Sequence, residues 1–429
     1  MSNSSAAASM WLVAGLRTPF AKVDGSLSDA DAIDLSLPVV RSMLSPKDAA
    51  VRPDLVVWGT VAPNLGYSNL AREVLIDAEL DQTIPAFSTV MACSTSMIAV
   101  FEAASMLGTG GRELALAGGV ESMSRIQIGL DQRLSDWLRR FFKSRSLGQR
   151  MDSFSELKFR DIKLHIPSVT NRSTGKSMGE HTEEMAKEWS IAREDQDELA
   201  LKSHSNAVQA QTAGFFENLI TPFDDIEMDV LPRADTNLQK LAALKPVFDQ
   251  TSGHGTLTAG NSSPLTDGAA GIWVATDTGL AQLSGQIPRV RLLDWEIAGV
   301  DLREEGLLMA PAYAIPRLLA RHGLFYEDID LWEIHEAFAA QVLCNVAALE
   351  SPNFIRDKVR VDAEFGQFPW DRFNPNGGSI SIGHPFGATG ARILSQATKE
   401  LAAMSSGSRA IVSICADGGL GTVALLQTP

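Results

Sequence analysis

The sequence predicts an α/β protein with a mainly parallel sheet, assembled from two similar halves around a helical insertion. Three observations predict it. Short apolar, β-rich runs alternate with helical stretches near both ends of the chain, the pattern of βαβ units. In each of these regions a strand-to-helix junction carries a thiol or an imidazole, and a later Gly-Gly turn closes a short apolar strand. The middle, roughly Ser124 to Ala259, instead holds charged helices and few strand-like runs.

Taken in order, Trp11–Ala14 is the opening strand, and Asp34–Met43 carries Leu, Val and Met at helical spacing. Leu55–Trp58 is a strand closed by Gly59. Phe87–Val90 is another, leading directly into a helix over Ala92–Leu107 that stops at Gly108 and Gly110. Glu113–Ala117 is an apolar strand ended by Gly118-Gly119. In the middle, Glu180–Trp189 and Arg193–Thr212 are helices. The last part repeats the style of the first: strand Arg289–Leu293, helix Ala312–Arg321, strand Leu331–Ile334, helix Ala337–Leu349, helix Ala388–Met404 and strand Arg409–Ile414, closed by Asp417-Gly418-Gly419. The repetition reads as duplication of one α/β unit. The expected boundaries are 1–123 for the N-terminal half, 124–259 for a helical loop domain, 260–279 for a return to the first half and 280–429 for the C-terminal half.

Composition narrows the function classes. A chain of 429 residues with 45% hydrophobic and 21% charged residues buries enough surface to fold without disulfide or metal staples. Its apolar runs, such as Gly271–Ala275 and Ala410–Ile414, are too short to cross a bilayer. Met1–Ser9 is small and polar, without the apolar core of a secretory signal, and reads as a frayed tail. Three cysteines, Cys93, Cys344 and Cys415, point to free thiols in a reducing compartment, hence a cytoplasmic location. The net charge of −15 argues against nucleic acid as a partner, and an anionic substrate would need a local basic patch.

Four segments carry residues suited to chemistry. Cys93 lies in Met91-Ala92-Cys93-Ser94-Thr95-Ser96, between a strand and a helix, where unpaired N–H groups favour a thiolate. The alternative is a small buried hydrophobe, as free cysteines usually are. His384 lies in the glycine-rich Gly377–Gly390, held just before Pro385 at a helix start, and can take a proton from a thiol near neutral pH, or can be purely structural. Cys415 precedes Asp417 and Gly418 in a turn whose N–H groups can bind an oxyanion. Glu333-Ile334-His335-Glu336-Ala337-Phe338 occupies a further strand–helix junction, where Glu336 is equally well a first-turn acid. A metal site built from His335, His384 and His254 has no supporting ligand spacing.

These segments, with Gly118–Ser124, Ser177-Met178-Gly179 and Thr258–Ala270, closely resemble the thiolases, acyl-CoA C-acyltransferases, from Leu16 to Ala424. The resemblance implies a five-layer αβαβα fold of two duplicated halves. It implies Cys93 as the acylated nucleophile, His384 as the histidine that activates it, and Cys415 as the acid/base for the acetyl-CoA α-carbon. His335 stands where many thiolases have asparagine, a variant typical of trifunctional-protein β-subunits and similar bacterial fatty-acid-oxidation thiolases. Ser263 matches a serine near the pantetheine arm of CoA, and Met178 the loop over that arm. Asp417 departs from the family, which usually has glycine there; a side chain aimed inward would oppose a developing negative charge.

The implied function is degradative 3-ketoacyl-CoA thiolysis through an acyl-cysteine in fatty-acid β-oxidation, with CoA as cosubstrate and no cofactor or metal. The alternatives are a biosynthetic acetoacetyl-CoA thiolase and a non-catalytic CoA- or lipid-binding relative. A homodimer or larger assembly and a hydratase/dehydrogenase α-subunit are the implied partners. Residues 130–150 set Leu130, Leu134, Trp137, Leu138 and Phe141 at helical spacing among Arg133, Arg139, Arg140, Lys143, Arg145 and Arg150. This charge reversal suits a packed helix, or contact with anionic lipid, a partner or CoA phosphates.

Overall fold

The computed structural model describes residues 9–44, 51–158, 162–165, 167–283 and 287–429; the tail expected over Met1–Ser9 lies almost wholly outside them. The N-terminal part runs β1 (Trp11–Val13), β2 (Ala21–Lys22), α1 (Ala32–Leu44), β3 (Leu55–Gly59), α2 (Leu70–Asp77) and β4 (Ala86–Phe87). It continues with α3 (Thr95–Met106) and β5 (Leu114–Glu121). The middle holds β6 (Gly129–Leu130), α4 (Gln132–Lys143), α5 (Leu147–Glu156), β7 (Leu164–His165), α6 (Met178–Glu188), α7 (Arg193–Thr212) and α8 (Leu238–Ala242). Then follow β8 (Thr266–Ala275), α9 (Asp277–Leu280), β9 (Arg289–Gly299), α10 (Ala310–His322), β10 (Leu331–Ile334) and α11 (Ala339–Leu349). The chain ends with α12 (Ser379–Ile382), α13 (Thr389–Leu401), β11 (Arg409–Ala416) and β12 (Leu420–Gln427).

The main sheet has the order β10-β11-β12-β9-β1-β8-β5-β3-β4, with β2 paired to β8. It is not mainly parallel, which corrects the sequence expectation. Only β10–β11, β3–β5 and β3–β4 are parallel, while β8 and β12 run antiparallel to both neighbours. Both of these strands escaped the sequence reading. They are buried along nearly their whole length, as β3, β5 and β11 are; they were passed over because neither follows a helix, β8 coming out of a loop and β12 turning back directly from β11, so strand–helix alternation does not mark them.

The duplication is visible in the pairing. One half places β3, β5, β8 and β1 side by side, and the other places β10, β11, β12 and β9 in the same order with the same directions. Alternate residues then define the layers. Val56, Trp58, Leu114 and Leu116 face α1 and α2 through Leu35, Val39 and Val74. Leu55, Val57, Ala115 and Ala117 face the opposite way, onto α3 and α13. The second half contributes Ala410, Val412 and Leu426 to that same central cluster. Its other face, with Trp332, Ile411 and Leu425, packs on α10 and α11. The result is five layers: helices, sheet, α3 with α13, sheet, helices. Each fully buried Leu or Val in these faces contributes about 1.5–3 kcal/mol.

The basic stretch expected as one helix is two, α4 and α5, broken at Ser144–Ser146. Leu134 and Trp137 are buried, and Trp137 stacks on Phe141 with centroids 5.3 Å apart. Phe142, Leu147, Met151 and Phe154 stay exposed beside Arg139, Arg140 and Lys143.

Candidate active site

Cys93 sits between edge strand β4 and α3. The helix begins later than the spacing predicts, at Thr95 with Ser94 as N-cap. Ala92 takes φ 45°, in the left-handed region, which costs a non-glycine residue about 1–2 kcal/mol. The turn is held by Ser94 N–H to Met91 O (3.0 Å), Thr95 N–H to Ala92 O (3.1 Å) and Met91 N–H to Thr95 Oγ1 (2.9 Å). This geometry turns Cys93 off the helix and into a cavity of about 360 Å³.

His384 enters the same cavity from the symmetry-related junction ahead of α13. Gly383 before it has φ 106°, and a Cβ there would lie 2.8 Å from Leu231 and from Thr266, so glycine is required. The His384 N–H donates to Thr266 Oγ1 (3.0 Å) and its Nδ1 lies 2.7 Å from Thr389 Oγ1. Thr389 Oγ1 is also 2.9 Å from the Pro385 carbonyl, which only accepts, so the hydroxyl hydrogen must lie between those two oxygens. Thr389 therefore accepts from His384 Nδ1–H, and Nε2 keeps a free lone pair.

His335 has the opposite tautomer. Its Nδ1 is 2.7 Å from Ser379 Oγ, which accepts from Arg392 Nη2 at 2.8 Å. A guanidinium cannot accept, and among the described hydrogen bonds His335 Nδ1 is the only acceptor in reach of the Ser379 hydroxyl; Ser379 therefore gives its hydrogen to Nδ1, and the proton of the ring is on Nε2. The two imidazoles lie 4.1 Å apart between centroids, and both Nε2 atoms are buried without a hydrogen-bond partner among the described residues. One ring nitrogen from each histidine and the Cys93 sulfur lie within 4.8 Å of one another. The pocket thus sets a sulfur beside one imidazole lone pair and one imidazole N–H. The third member of this group is Cys93 rather than His254, which is exposed.

The electrostatics favour neutral groups. Burial, then the Arg392 charge, holds His384 down to about 3. Burial, His384 and Arg392 hold His335 well below the usual imidazole range. The surroundings of Cys93 work against the favoured thiolate expected there. Burial, followed by the Asp417 carboxylate, pushes its thiol up to about 12, offset in part by the backbone N–H groups of Asp417 and Cys93 itself. Cys415, at the end of β11, is pushed well above the usual thiol range by burial and by Cys93.

The turn after Cys415 answers what Asp417 does. Its backbone N–H helps to lower the Cys93 thiol, while its Oδ1 accepts from Gly418 N–H (2.7 Å) and from Asn171 Nδ2 (2.8 Å). Gly418 therefore serves the turn and not an oxyanion: its N–H is already engaged, and it does not line the cavity. Ser263 and Met178 both line the cavity, Ser263 tied by its N–H to Ala337 O at 3.0 Å. Glu336 precedes α11 rather than sitting in its first turn. It accepts from Ser203 Oγ (2.7 Å), Asn374 Nδ2 (2.7 Å) and Ile380 N–H (3.2 Å), and so braces α12, which begins at Ser379.

Other residues were not found from sequence. Ser379 and Thr389 lie within Gly377–Gly390 and Thr266 within Thr258–Ala270, but nothing in those segments marked them for the part they share with Arg392, fixing the imidazoles. A second cavity of about 450 Å³ shares Phe248, Ser262, Ser263 and Leu265 with the first and is lined by Lys22, Arg233 and Lys240. These three cations are scattered in sequence, so no charge run announced them, and the stretch 130–150 contributes no residue to either cavity.

The chain matches the family models for the thiolase N-terminal domain over residues 10–278 and the thiolase C-terminal domain over residues 286–428. A protein of Yersinia enterocolitica named 3-ketoacyl-CoA thiolase is 38% identical over 425 residues, covering 97% of this chain and 96% of that one. A protein of the same name from Shewanella amazonensis is 37% identical with the same coverage. Among solved structures, the Bacillus anthracis acetyl-CoA acetyltransferase superposes with a TM-score of 0.81 at 28% identity, over 99% of this chain and 100% of that one. An Ascaris suum thiolase in complex with coenzyme A gives 0.78 at 26% identity, over 98% and 100%. With both halves matched and relatives alike over nearly their whole length, the chain belongs to the thiolase family.

Proposed function

We propose that the protein is a degradative 3-ketoacyl-CoA thiolase, cleaving its substrate with CoA into acetyl-CoA and a shortened acyl-CoA in fatty-acid β-oxidation. The observation that carries this is the meeting of Cys93, His384 and His335 within 4.8 Å in a cavity that Cys415 also lines. The Cys93 sulfur attacks the 3-keto carbon as its proton passes to the lone pair on His384 Nε2. Negative charge on the former carbonyl oxygen meets the His335 Nε2–H. The C2–C3 bond breaks, its electron pair goes to C2, and the Cys415 thiol protonates that carbon to give acetyl-CoA. A CoA thiol next loses its proton to the Cys415 thiolate and attacks the acyl group. Cys93 leaves as thiolate and recovers its proton from His384. Protons and electrons balance, and nothing but CoA is consumed.

A carbanion is a poor leaving group, so a donor such as the His335 N–H is worth roughly 100- to 1000-fold in rate. The second cavity suits the CoA phosphates: Lys22, Arg233 and Lys240 line it, and although Asp235 pairs with Lys240 at 2.6 Å, the lining keeps an excess of positive charge.

The loop domain over 124–259 carries the membrane contact in this reading. Phe142, Leu147, Met151 and Phe154, exposed beside Arg139 and Arg140, suit an anionic membrane surface. Edge strand β4, with Val90 62% exposed nearby, suits pairing with a second copy to form a homodimer. A hydratase/dehydrogenase subunit fits as a further partner in a cytoplasmic assembly; no helix among the described residues is long and apolar enough to cross a membrane.

The test is steady-state thiolysis across short to long 3-ketoacyl-CoAs, with Cys93→Ala beside the parent. Loss of turnover in the variant and activity beyond acetoacetyl-CoA are expected. Undiminished turnover without Cys93 removes the mechanism, and activity confined to acetoacetyl-CoA replaces degradation with the biosynthetic role. Liposome flotation unchanged by charge reversal at Arg139 and Arg140 removes the membrane contact.

A further inference from the structure

Asp417 occupies a turn where the thiolase pattern has glycine, and its side chain reaches a distant part of the chain. Asn171, 246 positions away in sequence, donates Nδ2–H to Asp417 Oδ1 at 2.8 Å. Asn171 is 6% exposed and is the hub of a small hairpin. Its Oδ1 accepts from Ser173 N–H (2.9 Å) and Thr174 N–H (3.2 Å). Its backbone bonds Lys176 O (2.9 Å) and accepts from Gly175 N–H (2.8 Å). Thr170 pairs with Ser177, the N-cap of α6, and Met178 N–H reaches back to Val169 O. The two flanks of this hairpin, Ser168–Thr170 and Ser177–Gly179, form one wall of the cavity that contains Cys93.

We infer that Asp417 is a positioning residue that tethers the Asn171 hairpin, and with it the Met178 wall, over Cys93, so that the CoA-bearing substrate is gripped between the loop domain and the β11–β12 turn. The inference rests on the acyl-transfer reading of the site. Only one side-chain contact joins this hairpin to the turn among the hydrogen bonds of the described residues. The tether carries a chemical cost: the same carboxylate opposes ionisation of the Cys93 thiol. Glycine at 417 would remove both the cost and the tether, so the chain has exchanged readiness of its sulfur for a fixed wall.

Three variants of the full-length enzyme separate the two effects. Asp417→Gly and Asn171→Ala are expected to raise KM for a 3-ketoacyl-CoA about tenfold, the size of one lost charge-assisted hydrogen bond. Both should speed amide hydrogen exchange across 170–178. Asp417→Asn keeps an oxygen for both N–H donors and is expected to restore KM and exchange towards the parent. Alkylation of Cys93 by iodoacetamide should move to lower pH in both Asp417 variants and stay put in Asn171→Ala. Parental KM and parental exchange in Asp417→Gly would overturn the tether. Exchange and alkylation need no turnover, so a parent enzyme without thiolysis defeats the acyl-transfer reading while leaving the tether to be judged by these two measurements.

Discussion

Ser379 Oγ lies 2.7 Å from His335 Nδ1 and 2.8 Å from Arg392 Nη2, so a serine decides which nitrogen of the histidine carries the proton. Ser379→Ala frees His335 to protonate either nitrogen and removes its aim. The expected result is a fall in kcat of about tenfold with KM little changed, since a donor acting only on developing charge is weakened rather than deleted. Nitrogen NMR of the imidazoles should show mixed tautomers at His335 and an unchanged His384, whose proton is set independently by Thr389.

The Cys93 thiol, raised to about 12 chiefly by burial and then by Asp417, predicts a reactivity profile unlike that of a pre-ionised cysteine. Without substrate, alkylation should climb about tenfold per pH unit through pH 9, with no plateau near neutrality, because only the thiolate reacts. The same burial, with Arg392, holds the His384 imidazole down to about 3 and so disfavours a resting ion pair. Proton transfer must then accompany attack. His384→Gln should abolish thiolysis while leaving the alkylation profile nearly unmoved; a plateau at pH 7 in the parent would sink this account.

The legible part of the molecule is where local chemistry and long-range structure agree. Leu331–Ile334 and Arg193–Thr212 fall where their patterns place them, because each is bounded by its own stop signals. The helix after Cys93 begins three residues late because the left-handed Ala92 and the threonine-held turn belong to the site, not to helix propensity. β8 and β12 lie outside the strand–helix alternation that marks β3, β5 and β11, since β8 follows a loop and β12 a tight turn from β11. In the site, Cys93, His384, Cys415 and His335 were found from their junctions and motifs. Arg392, Asn171 and Arg233 were not: Asn171 meets Asp417 246 positions away, Arg392 reaches Ser379 only through the packing of α13 on α12, and Arg233 takes its place only as part of a cavity lining.

His204 gives a pH test of the packing behind the second cavity. Burial, then Arg233, lowers it to about 4, against 6.5 for the ordinary side chain. With its folded value depressed, its contribution to stability is fully present above pH 6.5 and is lost as pH falls towards 4. Glu121, Glu336 and Glu400 are raised by burial and work with the opposite sign, so the comparison must be a difference between proteins. His204→Gln should lose less stability than the parent between pH 6.5 and 4, by up to about 3 kcal/mol. Urea midpoints at the two pH values read this directly, and identical losses would show that the imidazole is not held neutral.

Gly390 tests whether the central helix layer sets the site. α13 crosses α3 here so closely that a Cβ on Gly390 would lie 2.3 Å from Met97 N and 2.9 Å from its Cα. The obstacle is backbone at the first turn of α3, four residues after Cys93, and it cannot swing aside as a side-chain end would. Gly390 also follows Thr389, the residue that fixes the His384 tautomer. Gly390→Ala must part the two helices, at an expected loss of about 2–3 kcal/mol. The parting separates the Cys93 turn from the His384 loop, so kcat should fall further than stability alone explains, measured where the variant is still folded. Gly148, exposed in α5 where an added methyl would meet no atom within 4 Å, is the control. Gly148→Ala should raise stability by about 0.5–1 kcal/mol through helix propensity and leave kcat alone. Equal effects from the two substitutions would show that the α3–α13 contact has no special hold on the chemistry.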